Sequence, residues 1–136
     1  MNEELLRQDL IRDEGLQLKP YRCSAGKLSI GVGRNLDDVG VSRSEAEYML
    51  HNDILNLQID LDRNLPWWRN LSETRQLVLA NMAFNLGIDR LLNFKNTLAA
   101  MERGDYEAAA VGMGASKWAV QVGPRATRLI KQMREG

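Results

Sequence analysis

Glu14, Cys23 and Ser29 bring a carboxyl, a thiol and a hydroxyl into one short run, with eight residues between the first two and five between the last two. A carboxyl at a helix end, followed by a glycine-punctuated hairpin carrying a nucleophile-sized group, suits acid-assisted attack on a polar bond. Glu14 falls at the C-terminal end of a helix-like stretch, where the dipole is negative and an ionised carboxylate is disfavoured. With partial burial, that placement favours the protonated form a general acid needs; the competing reading is an ordinary surface glutamate. Cys23 is less determinate. A free thiol titrates at about 8.5 and lends little charge at neutral pH unless its neighbours draw the proton off. Arg22 and Lys19 would do so, and Glu14 would oppose them. Ionised, Cys23 is a good nucleophile; packed away, it is a small hydrophobe. The Ser29 hydroxyl either positions a water or is satisfied by strand backbone.

These groups need a helix and a hairpin to hold them. Leu5, Leu6, Leu10 and Ile11 recur at helical spacing, which predicts an amphipathic helix over residues 3–14, stopped by Gly15. From Pro20 to Leu36, the residues Tyr21, Leu28, Ile30 and Val32 alternate with small or polar ones, and Gly26, Gly31 and Gly33 punctuate them. That pattern predicts a small antiparallel sheet with Ser24-Ala25-Gly26-Lys27 as its first turn. Ser42 and Glu45 form a capping-box pattern, after which Ala46, Met49, Leu50, Ile54, Leu57 and Leu61 keep one face apolar to about Asn64. A helix of about 22 residues spans roughly 33 Å, long enough to join two lobes, and Pro66 ends it. Short helices follow, broken at Gly87, Gly104, Gly114 and Gly123-Pro124. The stretch 72–86 is the most hydrophobic, so Leu77, Val78, Leu79, Met82, Ala83 and Phe84 are expected at the centre of the larger core. One early block of strands in a helical chain reads as α+β.

A chain of 136 residues is one domain, or two small lobes sharing a long element, and its 44% hydrophobic content supports a real core. A single cysteine cannot form an internal disulfide, and one cysteine with one histidine argues against a structural zinc site. No apolar run approaches about 18 residues, and the acidic start Met1-Asn2-Glu3-Glu4 lacks a signal-peptide core, so neither a membrane anchor nor a leader is expected. The zero net charge hides an asymmetry: residues 1–62 hold 7 Lys/Arg and 12 Asp/Glu, while residues 63–136 hold 11 and 6. An acidic first half and a basic second half either steer an anionic polymer or are simply solvated helix faces. Basic residues are dispersed and form no recognised motif, which disfavours nucleic-acid binding. A monomer is expected.

The segment from Ile11 to Arg34 resembles the phage-type lysozyme and endolysin family of glycoside hydrolases. That family's motif is a Glu, eight residues, an Asp or Cys, five residues, a Thr, and then Gly-x-Gly. Glu14 and Cys23 match, Ser29 replaces the Thr, and Gly31-Val32-Gly33 matches. Asn81-Met82-Ala83-Phe84-Asn85-Leu86-Gly87 is a second match, and Ser116-Lys117-Trp118 with Arg125-Ala126 a third. The matches run in family order from Leu6 to about Arg134, nearly the whole chain.

The resemblance implies a single lysozyme-like α+β domain over 1–136. It would comprise a hairpin lobe over about 15–41, a linking helix over about 42–64, and a helical lobe over about 65–136 with the N-terminal helix, enclosing a cleft. It implies hydrolysis of the β-1,4 bond between N-acetylmuramic acid and N-acetylglucosamine in peptidoglycan glycan strands, without metal or cofactor, by a phage or prophage endolysin. Such a protein would be made in the host cytoplasm and reach the wall through a separate membrane lesion. The Glu matching Glu14 protonates the glycosidic oxygen. Ser29, one methyl short of Thr, keeps the hydroxyl that would position a water. Attack by that water opposite Glu14 would invert the anomeric centre, and attack by Cys23 would retain it; both stay open.

Gly33, Phe84, Asn85 and Arg125 fall at substrate-binding positions of the family. Phe84 and Asn85 line its saccharide cleft, Asn85 standing one methylene short of a frequent Gln, and Arg125 faces the catalytic Glu. Arg34 replaces a frequent His, and Asp53 shares the apolar stripe of the linking helix, where a lone charge is costly. An Arg34–Asp53 ion pair is therefore expected, unless Asp53 reaches solvent at the stripe's edge. Trp118 reads as core, Trp67-Trp68 as core or sugar platform, and His51 as helix surface. The rival reading is a peptidoglycan-binding domain with impaired catalysis, because Cys23 and Ser29 stand where Asp and Thr are commoner. Composition alone would also suit a helical interaction module.

Overall fold

Local signals set the first elements. In the computed structural model, which describes residues 1–136, the Asn2 side chain accepts from the Leu5 N–H at 3.0 Å and caps α1 (Glu3–Glu14). Glu3 and Glu4 occupy its first turn, the positive end of the dipole. Gly15 ends it at φ 80°, its N–H donating to the Ile11 carbonyl. Glu14 is thus the last helical residue.

The chain then forms a three-stranded antiparallel sheet in the order β1 (Gln17–Arg22), β2 (Leu28–Gly31), β3 (Arg34–Asn35). Pro20, which has no N–H to give, lies on the edge strand β1, within a register irregularity between Gln17 and Tyr21. Tyr21 then pairs with Ser29 and Arg22 with Leu28. The turn between β1 and β2 falls where expected: the Gly26 N–H donates to the Cys23 carbonyl at 2.8 Å and the Cys23 N–H to the Lys27 carbonyl at 2.9 Å. Ile30 pairs with Arg34 across the second turn, Gly31-Val32-Gly33.

The capping box is realised at the start of α2 (Arg43–Asn64). The Glu45 N–H donates to the Ser42 hydroxyl at 3.1 Å and the Ser42 N–H returns a bond to the Glu45 carboxylate at 2.8 Å. The chain resolves into two compact units, Met1–Met49 and Leu50–Gly136, divided within α2.

The second unit continues with a 3-10 turn (Pro66–Asn70), α3 (Glu73–Leu86), α4 (Ile88–Leu91), α5 (Lys95–Glu102), α6 (Tyr106–Gly114), α7 (Lys117–Val122) and α8 (Pro124–Glu135). Its core gathers Leu61, Val78, Leu79, Met82, Met101, Met113, Trp118, Leu129 and Met133. Two residues expected there are not in it: Leu77 is 64% exposed and Phe84 49%. The run is apolar nearly all round, so hydrophobicity gave no phase. The helix turns Val78, Leu79, Met82 and Ala83 inward and leaves Leu77 and Phe84 on the opposite face. The architecture is α+β, as expected, and no helix is long and apolar enough to cross a membrane.

Candidate active site

In the first unit, the helix end and the glycine turn meet. Gly33 holds a left-handed backbone, φ 67°, and a β-carbon built on it would stand 3.1 Å from Oε2 of Glu14 and 3.6 Å from its Cβ. Only a bare Cα lets the turn approach the carboxylate this closely. Glu14 is exposed, not partly buried as expected, because it closes a helix none of whose residues is buried.

Cys23 is a free, half-buried thiol. The backbone N–H groups of Lys27 and then Ala25 hold the thiol below its ordinary pKa, against the opposing effect of desolvation, with a lesser lowering from the Ser29 hydroxyl. The direction is the one expected from nearby cations, but the cause is different. The turn's own dipoles do it, while Arg22 is 3.7 Å from Asp37 and Lys27 is 3.2 Å from Asp38. Ser29 is only 2% exposed, and its hydroxyl donates to the Lys27 carbonyl at 3.3 Å. A hydroxyl so placed is satisfied by backbone and is not open to bulk water.

Arg34 is not paired with Asp53. Its guanidinium grips Glu45 with two bonds of 2.9 and 2.8 Å and donates to the Gly40 carbonyl at 3.1 Å. Arg34 first, and then the Ser42 N–H and hydroxyl, draw the Glu45 carboxyl down to about 2. The expectation failed because it assumed a buried stripe on α2. Met49, Leu50 and Ile54 are 48%, 45% and 40% exposed, and Asp53 between them is exposed too, so it needs no partner. Glu45 was legible only as a capping residue; its second bond depends on the β3-to-α2 loop. Beside the ion pair lies a surface groove of about 540 Å³ lined by Ile30, Val32, Arg34, Glu45, Tyr48 and Met49. No sequence signal marked Tyr48, which is 68% exposed there.

In the second unit, Phe84 and Arg125 share a groove of about 480 Å³ with Leu77, Asn81 and Leu129. The Arg125 Nε donates to Oδ1 of Asn81 at 2.9 Å, which fixes the plane of the guanidinium. Asn81 stands in the second matching motif, and nothing in the sequence marks it as this anchor. The Asn85 Oδ1 accepts from the indole N–H of Trp118 at 2.8 Å, leaving the amide nitrogen for other partners. Trp118 is core, as expected, edge-on to Phe94. Trp68 proves to be core as well, its indole bonded to Asp62 at 2.7 Å with Arg69 over its ring. His51 lies on the surface of α2.

A family model described as Phage lysozyme matches residues 11–135. The pre-baseplate central spike protein Gp5 of Enterobacteria phage T4 is 29% identical over 93% of this chain, which spans only 26% of that protein. The Probable T4-type lysozyme 2 of Dictyostelium discoideum is 27% identical over 96% of the chain and 94% of its own length. The SAR-endolysin of Escherichia phage Mu is 31% identical over 89% of the chain and 70% of its own length.

Proposed function

Because this chain belongs to the phage lysozyme family, we propose that it is a peptidoglycan hydrolase that cuts the β-1,4 bond between N-acetylmuramic acid and N-acetylglucosamine. One observation carries this reading: the carboxylate that ends α1 lies against the bare backbone of Gly33, in the unit that also holds Cys23 in its turn. Glu14 delivers a proton to the glycosidic oxygen, the bond from that oxygen to the anomeric carbon breaks, and water completes the exchange. Cys23 supplies the second group such a reaction requires, either as a nucleophile or as a charge beside the developing cation. Gly33, Phe84, Asn85 and Arg125 bind the glycan strand, Phe84 through its exposed ring and Arg125 through the guanidinium set by Asn81.

The setting that suits this activity is a phage or prophage endolysin, made in the host cytoplasm and released to the wall through a separate membrane lesion. Reducing ends freed from purified peptidoglycan test the reading. The wild-type chain should release them, and Glu14→Gln, which has no proton to give, should not. A second reading is favoured by the thiol at position 23, which carries less charge than a carboxylate: a wall-binding domain with impaired turnover. Sedimentation with peptidoglycan but no release of reducing ends would establish it.

A further inference from the structure

The groove of about 540 Å³ in the first unit is built by the first turns of α2 and by the β2–β3 hairpin. Glu45, Tyr48 and Met49, three and four residues apart, share one helix face, and Val32 and Arg34 come from the hairpin. The groove adjoins the turn that meets the carboxylate. Gly31 and Val32 line it, and Gly33, the next residue, is the one against which Glu14 lies. Tyr48 is 68% exposed, and Val32, Val41 and Met49 are exposed around it, so an aromatic ring and apolar side chains face solvent together in a concave place.

Arg34 gives this groove a polar edge. Of the five N–H groups of a guanidinium, three are engaged: Nη1 donates to Oε1 of Glu45 and to the Gly40 carbonyl, and Nη2 donates once to Oε2 of Glu45. The Nε–H and the second Nη2 proton have no acceptor. Glu45 stands 2.8 Å away and cancels the charge, so the pair offers directed donors with little net field. An anion gains little from such a pair, whereas a neutral carbonyl or hydroxyl oxygen can take both donors. A sugar ring with an acetamido group has this make-up, a face of C–H groups and an edge of neutral oxygens. The peptide stems of peptidoglycan, which carry carboxylates, do not.

We propose that this groove is a glycan subsite of the first unit, in which Tyr48 stacks on an N-acetylhexosamine ring and the free N–H groups of Arg34 hold its neutral oxygens, beside the bond that Glu14 protonates. The inference rests on the hydrolase reading for its substrate, but its first test needs no turnover.

That test is an NMR titration of the Glu14→Gln chain with a soluble tetramer of N-acetylglucosamine. The Tyr48 ring protons and the Arg34 Nε–H should shift together along one binding curve. Tyr48→Ala should weaken binding about fivefold, and Tyr48→Phe, which keeps the ring, should restore it. Because Tyr48 is so exposed, the melting temperature should hold in both variants. With Glu14 intact, Tyr48→Ala should raise the peptidoglycan concentration giving half-maximal rate by a similar factor. Tyr48 signals that stay still, or a Tyr48→Ala chain that binds the tetramer as tightly as before, overturn the proposal. An equal shift on adding an acidic peptide without sugar also overturns it, as does one on raising the protein concentration alone, which would make the groove a face between copies. If Tyr48 responds to the tetramer but the wild type frees no reducing ends, the subsite stands and the hydrolase reading falls. An active hydrolase whose Tyr48 does not respond gives the reverse.

Discussion

Gly33 lies directly against Glu14: a β-carbon at Gly33 would come within 3.1 Å of the Glu14 Oε2, on a backbone already at φ 67°. Gly33→Ala should therefore do two separable things. The left-handed backbone should cost about 1–2 kcal/mol of stability, read by denaturant unfolding. The displaced carboxylate should lower the rate of reducing-end release by about tenfold or more. Gly104 also has a positive φ, 81°, but nothing within 4 Å of its would-be β-carbon. Gly104→Ala should show the stability loss alone; an equal loss of rate there would detach the Gly33 effect from Glu14.

Glu45 carries the acid sensitivity of the first unit. Its carboxyl lies at about 2 in the folded chain against an ordinary value of 4.5. The folded value is the lower one, so this contribution to stability is fully present above about 4.5 and is lost as pH falls toward 2. Glu45→Gln should lower the melting temperature at neutral pH, and the gap from wild type should close across that window. Melting curves that stay parallel would show that the Arg34–Glu45 pair contributes nothing in solution.

Asp53 supplies the contrast. It is exposed, and Arg34 is engaged with Glu45. Asp53→Asn should change the unfolding free energy by less than about 0.5 kcal/mol, the usual span for surface substitutions. A loss of several kcal/mol in urea unfolding would mean the aspartate holds a buried charge.

What was legible in the chain was what neighbours in sequence decide. Gly15 after the apolar period of α1, the Ser42–Glu45 box and the Cys23-to-Lys27 turn each close within a few residues, and each appears as expected. Partners chosen across elements were not legible. Arg34 was matched to Asp53 on α2, but the loop between β3 and α2 brings Glu45 onto its guanidinium instead. The phase of α3 was hidden by its own hydrophobicity, so exposed Phe84 and buried Met82 looked alike. Glu14 was expected to be partly buried and is exposed, and nothing in the spacing signalled that Ser29 is buried. Accessibility is set by what packs over a residue, and spacing in the chain does not report it.

Phe84 is 49% exposed, so truncating it removes little of the core. Phe84→Ala should cost less than about 1 kcal/mol of stability, well under the roughly 3–5 expected of a buried phenylalanine. If its ring stacks on the glycan, the peptidoglycan concentration giving half-maximal rate should rise roughly fivefold. A loss of stability with no change in that concentration would return Phe84 to a packing role.

Cys23 is the position where substitution separates the mechanisms most sharply. If the thiolate is the second reacting group, Cys23→Ala should lower the lytic rate about a hundredfold or more at equal folded concentration. Cys23→Asp should restore much of it, since a carboxylate can attack or stabilise a cation in the same nest of N–H groups. The pH profiles should differ in sign-determined ways. The wild-type rate should rise as the thiol ionises, with a midpoint below the ordinary thiol value because the Lys27 and Ala25 N–H groups and Ser29 favour the anion. In Cys23→Asp the group is already ionised across that range, so this rise should vanish. A Cys23→Ala protein that lyses as fast as wild type, with the same pH profile, would remove Cys23 from the reaction and leave Glu14 to act on water alone.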